Sequence, residues 1–322
     1  MQDLLTAGDD VLLLDGGLAT ELERRGHDLS DDLWSARLLL DRPDEIVATH
    51  RSYFAAGARV ATTSSYQASF EGFARRGCSH DEAAALMRRS VGLAREAADA
   101  AQADDGVRRW VAASVGPYGA VLADGSEYSG DYGRSDADLR DFHGPRAEVL
   151  ATSGADLLAI ETIPSEQEAT VLLRVLDELP EGTAAWLSVT CADAATTRRG
   201  EDVERVFGLA RGHQRVVAVG VNCTAPEHVE ELVLRAVAAS GKPAVAYPNS
   251  GESWDAASRT WGGDGAGVDP AAAARWVSAG ARYVGGCCRV GATDIARVAA
   301  TMQVSGQVSG QVSGQVSDRT PG

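Results

Sequence analysis

The sequence predicts a single-domain (β/α)8 barrel of the TIM type over residues 1–302, followed by a disordered tail over residues 303–322. Three observations predict it. Eight short apolar runs recur along the 322 residues, most of them followed by an amphipathic or Ala-rich stretch of helical length. Most runs are continuously apolar rather than alternating, as strands covered on both faces should be. The glycines that follow the first run do not form the spaced G-x-G-x-x-G of an open dinucleotide-binding sheet.

The elements follow in order. The first strand is Val11 to Leu14, stopped by Asp15, Gly16 and Gly17. A helix near Asp44 to Ala56 leads to the second strand, Ala58 to Ser65. A long Ala-rich helix, Asp81 to Ala103, precedes the third strand, Trp110 to Gly116. A Gly-, Ser- and Asp-rich loop then gives way to a helix around Asp136 to Ser153. The fourth strand is Asp156 to Thr162. Its helix, Ser165 to Leu179, opens with Ser165 as N-cap and Glu168 three positions on, the pattern of a capping box. The fifth strand is Ala184 to Thr190, the sixth Val216 to Asn222, the seventh Ala244 to Asn249 and the eighth Arg282 to Cys288. Helices near Asp202, Pro226, Pro270 and Thr293 fill the remaining intervals. The end of the chain is different. From Gln303 to Asp318 it repeats QVSG, with no aromatic residue, and such a segment buries too little surface to offset ordering.

Composition narrows the class. Apolar residues make up 44% and charged residues 24%, enough for a sizeable core. The 46 acidic residues outnumber 30 basic ones, for a net charge of −16. Such a surface repels phosphate backbones and anionic membranes, so neither nucleic acid nor a membrane is expected as a partner. No stretch is apolar for long enough to span a bilayer. The N-terminus has acids where a secretory leader has bases, so a cytoplasmic location is expected. Five cysteines, two of them adjacent, are not a disulfide framework.

In a barrel the C-terminal strand ends share one face, where catalytic residues gather. Asp15, Thr62, Thr63, Ser114, Gly116, Glu161, Thr190, Cys191, Asn222, Cys223, Asn249, Cys287 and Cys288 all fall there. Cys223 ends strand six, and Cys287 and Cys288 end strand eight, with one strand between them. Adjacent cysteines are poorly set to bridge each other. Both can approach one metal if the chain bends at Gly285 and Gly286. Three thiolates with an open fourth position describe a catalytic zinc site. Cys78, in a polar loop, and Cys191, with no partner motif, are read as packing residues. The six histidines fit no ligand spacing and are read as surface or loop residues.

Seven segments resemble the zinc-dependent homocysteine S-methyltransferases. They are LLLDGGLATELERRG at Leu12 to Gly26, TTSSYQAS at Thr62 to Ser69, SVGPYGA at Ser114 to Ala120, ETIPS at Glu161 to Ser165, GVNCTAP at Gly220 to Pro226, YPNSGESWD at Tyr247 to Asp255 and GGCCRVG at Gly285 to Gly291. The pairing of GVNC with a later GGCC is the specific part. The resemblance implies a (β/α)8 barrel with Zn2+ on Cys223, Cys287 and Cys288. It implies that Asp15 and Glu161 contact the amino group of homocysteine, that Thr63 helps to hold the substrate, and that Asn249 approaches the metal when homocysteine is absent. YPNSGE, with DGSEYSGDYG at Asp124 to Gly133, is most similar to the S-methylmethionine-dependent branch. The implied reaction moves a methyl group from a sulfonium, S-methylmethionine or alternatively S-adenosylmethionine, to homocysteine, giving methionine. The leaving sulfide is neutral, so no general acid or base is assigned.

Trp254 and Tyr118 are candidates to face a sulfonium by cation–π contact, with packing the preferred reading. Two rival functions compete with this one. A zinc hydrolase would need His and carboxylate ligands such as H-E-x-x-H, which are missing from the sequence. A closed structural zinc would need a fourth ligand, and Cys191 is the strand-end thiol on offer.

Overall fold

A computed structural model describes residues 10–27, 35–122, 125–126, 129–255, 260–262 and 265–304. The C-terminal repeat lies outside these residues, apart from its first two positions, which belong to the final helix.

Eight parallel strands form the barrel. They are β1 (Leu12–Leu13), β2 (Val60–Thr62), β3 (Trp110–Val115), β4 (Leu157–Ile163), β5 (Ala185–Val189), β6 (Val216–Asn222), β7 (Ala244–Tyr247) and, after an antiparallel hairpin β8 (Ser253–Asp255) and β9 (Thr260–Gly262), β10 (Ala281–Val284). Their order around the sheet is β1-β10-β7-β6-β5-β4-β3-β2. Closure comes from a parallel bridge between Leu14 and Val60, with Arg59 N–H donating to the Leu13 carbonyl at 2.7 Å and Asp15 N–H to that of Val60 at 3.1 Å. All eight expected strands are present. The sequence reading missed the β8–β9 hairpin, which sits in the loop after β7.

The two faces of the strands explain their apolar runs. Leu12, Leu14, Val60, Trp110, Ala112, Leu157, Ala159, Trp186, Val245, Tyr247 and Tyr283 fill the barrel interior. Alternate residues such as Leu13, Ala61, Val111, Leu158, Leu187 and Val219 pack outward against the helices. Two of the long helices start where side chains meet their first free N–H groups. Ser79 and Glu82 form a full capping box on α5 (His80–Asp105), and Ser135 with Asp138 does so on α7 (Asp136–Ala151). These are the fifth and seventh helices because four short ones, α1 (Leu18–Arg24), α2 (Ser35–Asp41), α4 (Phe70–Ala74) and α6 (Tyr118–Leu122), join the expected α3 (Pro43–Ala55).

The helix after β4, α8 (Glu166–Glu178), corrects one expectation. Ser165 does cap it, accepting from the Glu168 N–H at 3.2 Å. The Glu168 carboxylate does not turn back to the cap. It is fully buried and accepts from the Tyr118 N–H at 2.6 Å and the Tyr132 hydroxyl at 3.1 Å, and it bonds His143 Nε2 at 2.9 Å. The histidines need correction too: His50 and His143 are fully buried, not surface or loop residues. Tyr118 packs, as expected, edge-on against Phe142, with Arg134 over its ring.

Candidate metal centre

The three cysteines meet. Their sulfurs all lie within 4.8 Å of one another, with Cys223 Sγ 3.5 Å from Cys288 Sγ and Cys287 Sγ 4.0 Å from Cys288 Sγ. Tetrahedral Zn–S bonds of about 2.3 Å put neighbouring sulfurs about 3.8 Å apart, so the spacing suits one zinc ion. Among the described residues no fourth His, Cys, Asp or Glu joins the group. Cys191 stays apart, buried, its N–H on Thr224 Oγ1 and its thiol pushed up to about 12 by burial. That removes the fourth ligand a closed structural site required. The crowded sulfurs are costly to ionise together. Cys223 is held well above the usual thiol range, first by its hydrogen bond to Cys287 and further by burial. A dication among them is the group that reverses this.

The backbone carries the vicinal pair past the end of its strand. β10 stops at Val284, four residues short of the expected end. Gly286 N–H then bonds the Asp15 carbonyl at 3.1 Å, and Cys287 N–H bonds that of Pro248 at 2.7 Å. Gly285 and Gly286 matter for room, not for a left-handed φ. A Cβ on Gly285 would sit 2.6 Å from Leu14 Cβ, and one on Gly286 would sit 2.1 Å from Val290 Cγ1. Among the described residues three non-glycines have positive φ, and all flank this site: Thr162 at 60°, Cys223 at 46° and Arg289 at 67°. Such conformations cost of order 1–3 kcal/mol each and persist only where surroundings enforce them. Arg289 is held by Thr20 Oγ1 at 2.8 Å and by Glu252 at 3.1 Å. Cys223 is held by its N–H on Tyr247 and by Thr190 donating to its carbonyl at 3.1 Å.

Two carboxyls face the same rim. Asp15 is buried and accepts from the Thr62 N–H at 2.7 Å and the Thr62 hydroxyl at 3.0 Å. Burial nonetheless lifts it to about 8, and the nearby charge of Glu161 adds to the rise. Glu161 accepts from the Ser114 and Tyr247 hydroxyls, and burial lifts it to about 7. Its charge also reaches Cys287, which joins the carboxyls and sulfurs into one site. Among the described residues no ion pair involves either carboxyl. A buried acid pair without a cation is a receptor for one.

The Thr63 hydroxyl accepts from the Ser114 N–H at 3.0 Å and shares a hydrogen bond with Ser65 at 2.7 Å, so it ties β2 to β3. Asn249 is buried in the loop against Cys288, its side chain accepting from the Gly251 N–H at 3.1 Å. The next residue, Ser250, donates to the Cys288 carbonyl. The Trp254 side chain lies outside the described residues. Sequence reasoning gave no role to Ser114, Tyr247, Thr162 or Asn222. Inward strand-end polarity was the available signal for Ser114 and Asn222.

The barrel rim thus joins three convergent thiols, spaced to suit one metal ion, to two buried carboxyls that make no ion pair among the described residues. The comparisons give the family. Residues 12–302 match the family model described as homocysteine S-methyltransferase, and the chain belongs to that family. The homocysteine S-methyltransferase YbgG of Bacillus subtilis is 44% identical over 296 residues, covering 90% of this chain and 94% of its own. The homocysteine S-methyltransferase of Escherichia coli is 45% identical over 295 residues, covering 90% and 95%. The selenocysteine Se-methyltransferase of Brassica oleracea is 42% identical over 313 residues, covering 92% and 90%. The crystal structure of the homocysteine methyltransferase MmuM from E. coli, in its metallated form, superposes with a TM-score of 0.83 at 42% identity, covering 92% of this chain and 98% of that one.

Proposed function

We propose that this protein is a zinc-dependent homocysteine S-methyltransferase that takes a methyl group from a sulfonium donor, S-methylmethionine first and S-adenosylmethionine second. The observation that carries the reading is the meeting of Cys223, Cys287 and Cys288 beside Asp15 and Glu161. When bound, zinc supplies the charge that turns a substrate thiol into a thiolate and orients it.

The chain's own residues do the rest. The thiolates of Cys223, Cys287 and Cys288 would hold the metal. Asp15 and Glu161 receive the substrate ammonium by charge-assisted hydrogen bonds. Ser114, Tyr247 and Thr62 fix those two carboxylates, so their remaining lone pairs point to the substrate. The homocysteine sulfur attacks the donor methyl in line, one S–C bond forms as the other breaks, and the donor leaves as a neutral thioether. No proton has to reach the leaving group, and no acid is needed. Thr63 supports this site through β3 rather than by contact. Asn249, on the loop against Cys288, would approach the metal when homocysteine is absent.

The reading also places the protein in the reducing cytoplasm, where five free cysteines persist; among the described residues no helix is long and apolar enough to cross a membrane. A donor panel tests the function. Zinc-loaded protein with homocysteine should form methionine from S-methylmethionine, and more slowly from S-adenosylmethionine. No methionine from any sulfonium or betaine donor would overturn it.

A further inference from the structure

The buried Asn222 lies at the end of β6, immediately before Cys223, and its side chain faces four groups at once. Its Oδ1 accepts from the Thr162 N–H at 2.7 Å and from the Ser188 hydroxyl at 2.8 Å. Its Nδ2 donates to Thr162 Oγ1 at 2.7 Å and to Cys287 Sγ at 3.9 Å. The orientation of the amide is fixed by chemistry. The Thr162 N–H can only donate, so oxygen must face it and the NH2 must face the sulfur.

Thr162 is the extra residue of a bulge. The pairing of β4 with β5 shifts between Ile160 and Ile163, and both of those side chains pack outward into the helix layer. Thr162, at φ 60°, absorbs the shift, so Glu161 faces inward and Thr162 turns to Asn222 rather than to the helices. A β-branched residue adopts this conformation only when held there. Asn222 holds it by both its N–H and its hydroxyl.

We propose that Asn222 is a positioning residue that fixes the Cys287 sulfur and the Glu161 carboxylate as one unit, setting the distance between the metal-held thiol and the ammonium of the same substrate. The proposal rests on the zinc reading above. An amide is the side chain that suits the post. It supplies two acceptor and two donor positions on one rigid plane, and all four are used. Its N–H toward sulfur also draws charge from the Cys287 thiolate, as groups behind metal ligands do.

Three variants test it: Asn222→Asp, Asn222→Ala and Thr162→Gly. The readouts are zinc affinity by chelator competition, the sulfur-to-cobalt charge-transfer band of cobalt-loaded protein, and KM for homocysteine. Asn222→Asp keeps the acceptor toward Thr162 but loses the N–H toward sulfur. Zinc affinity should fall about tenfold or more, and the band should move to lower energy. A purely structural asparagine would change melting temperature and leave the band in place. Asn222→Ala should also raise KM about tenfold or more, through the loss of Glu161 alignment. Thr162→Gly tolerates the positive φ, so it should fold, keep its zinc affinity and still raise KM. An unmoved band and unchanged zinc affinity in Asn222→Asp, or an unchanged KM in Thr162→Gly, would overturn the proposal while leaving the metal reading intact. A wild-type protein that binds neither zinc nor cobalt would overturn both.

Discussion

Two groups of buried carboxyls in this barrel look alike by burial and differ in what surrounds them. Glu168, outside the barrel wall, spends both oxygens on the Tyr118 N–H, His143 and the Tyr132 hydroxyl. The neighbouring Arg146, also fully buried, supplies the counter-charge that Glu168 feels and donates to the carbonyls of Ser65, Tyr66 and Gly116. Burial keeps the His143 imidazole below its usual range, so at neutral pH its contact with Glu168 is a hydrogen bond. This cluster fastens the loops after β2 and β3 to two helices. Asp15 and Glu161, at the rim, receive hydroxyl and amide donors but no cation. Each is lifted by burial, to about 8 and about 7. The difference teaches that burial alone does not mark a functional acid. An acid whose partners are complete holds the fold, and one left short of a counter-charge awaits a ligand.

The comparison can be broken or sharpened by mutation. The largest effect belongs to the zinc proposed for the same rim. Cys223→Ser, Cys287→Ser and Cys288→Ser should each lose most bound zinc by elemental analysis, and full retention in any of them would remove that residue from the site. Next, Glu161→Gln should lower kcat/KM for homocysteine by about 10–150-fold, the range of a charge-assisted hydrogen bond worth about 1.5–3 kcal/mol. Its melting temperature should hold or rise, because a costly buried charge is gone. Glu168→Gln should show the reverse, with stability in denaturant titrations falling by about 1–3 kcal/mol as partners lose their acceptor, and little change in KM. Equal loss of stability in both variants would erase the distinction.

The last test is a pH slope. In the folded protein Asp15 and Glu161 ionise at about 8 and about 7, above the ordinary carboxyl values of 3.8 and 4.5. Between these limits the folded state binds more protons than the unfolded chain. Their contribution is therefore full below about pH 4 and is lost as pH rises through about 8. Denaturant titrations at pH 5 and pH 8 should show it, and saturating methionine, whose ammonium is proposed to meet the pair, should flatten the slope. The same slope with and without methionine would place the ammonium elsewhere.

Much of this was legible in the sequence, for definite reasons. Parallel strands buried on both faces read as apolar runs, so all eight appeared, and Cys223, Cys287 and Cys288 followed from where runs six and eight stop. Features set by contacts between distant segments were not legible. Glu168 sits where a capping box would place it, yet its partners come from residues 118, 132 and 143. His143 carries no local sign of burial, since its helix mixes polar and apolar residues on all sides. Thr162 hides its positive φ because threonine in a strand is ordinary. The bulge exists through Asn222, sixty residues on. Thr63 owes its expected substrate role to the resemblance alone, and the hydrogen bonds of its hydroxyl to Ser65 and Ser114 were not legible in the sequence.

The central claim is that three sulfurs hold one zinc ion and that the substrate supplies a fourth. X-ray absorption at the zinc edge, on the protein alone and with homocysteine, tests it most directly. The account predicts three sulfurs at about 2.3 Å plus one lighter atom without substrate, and four sulfurs with it. Four sulfurs before homocysteine is added, or a sulfur count that does not change on adding it, would contradict it.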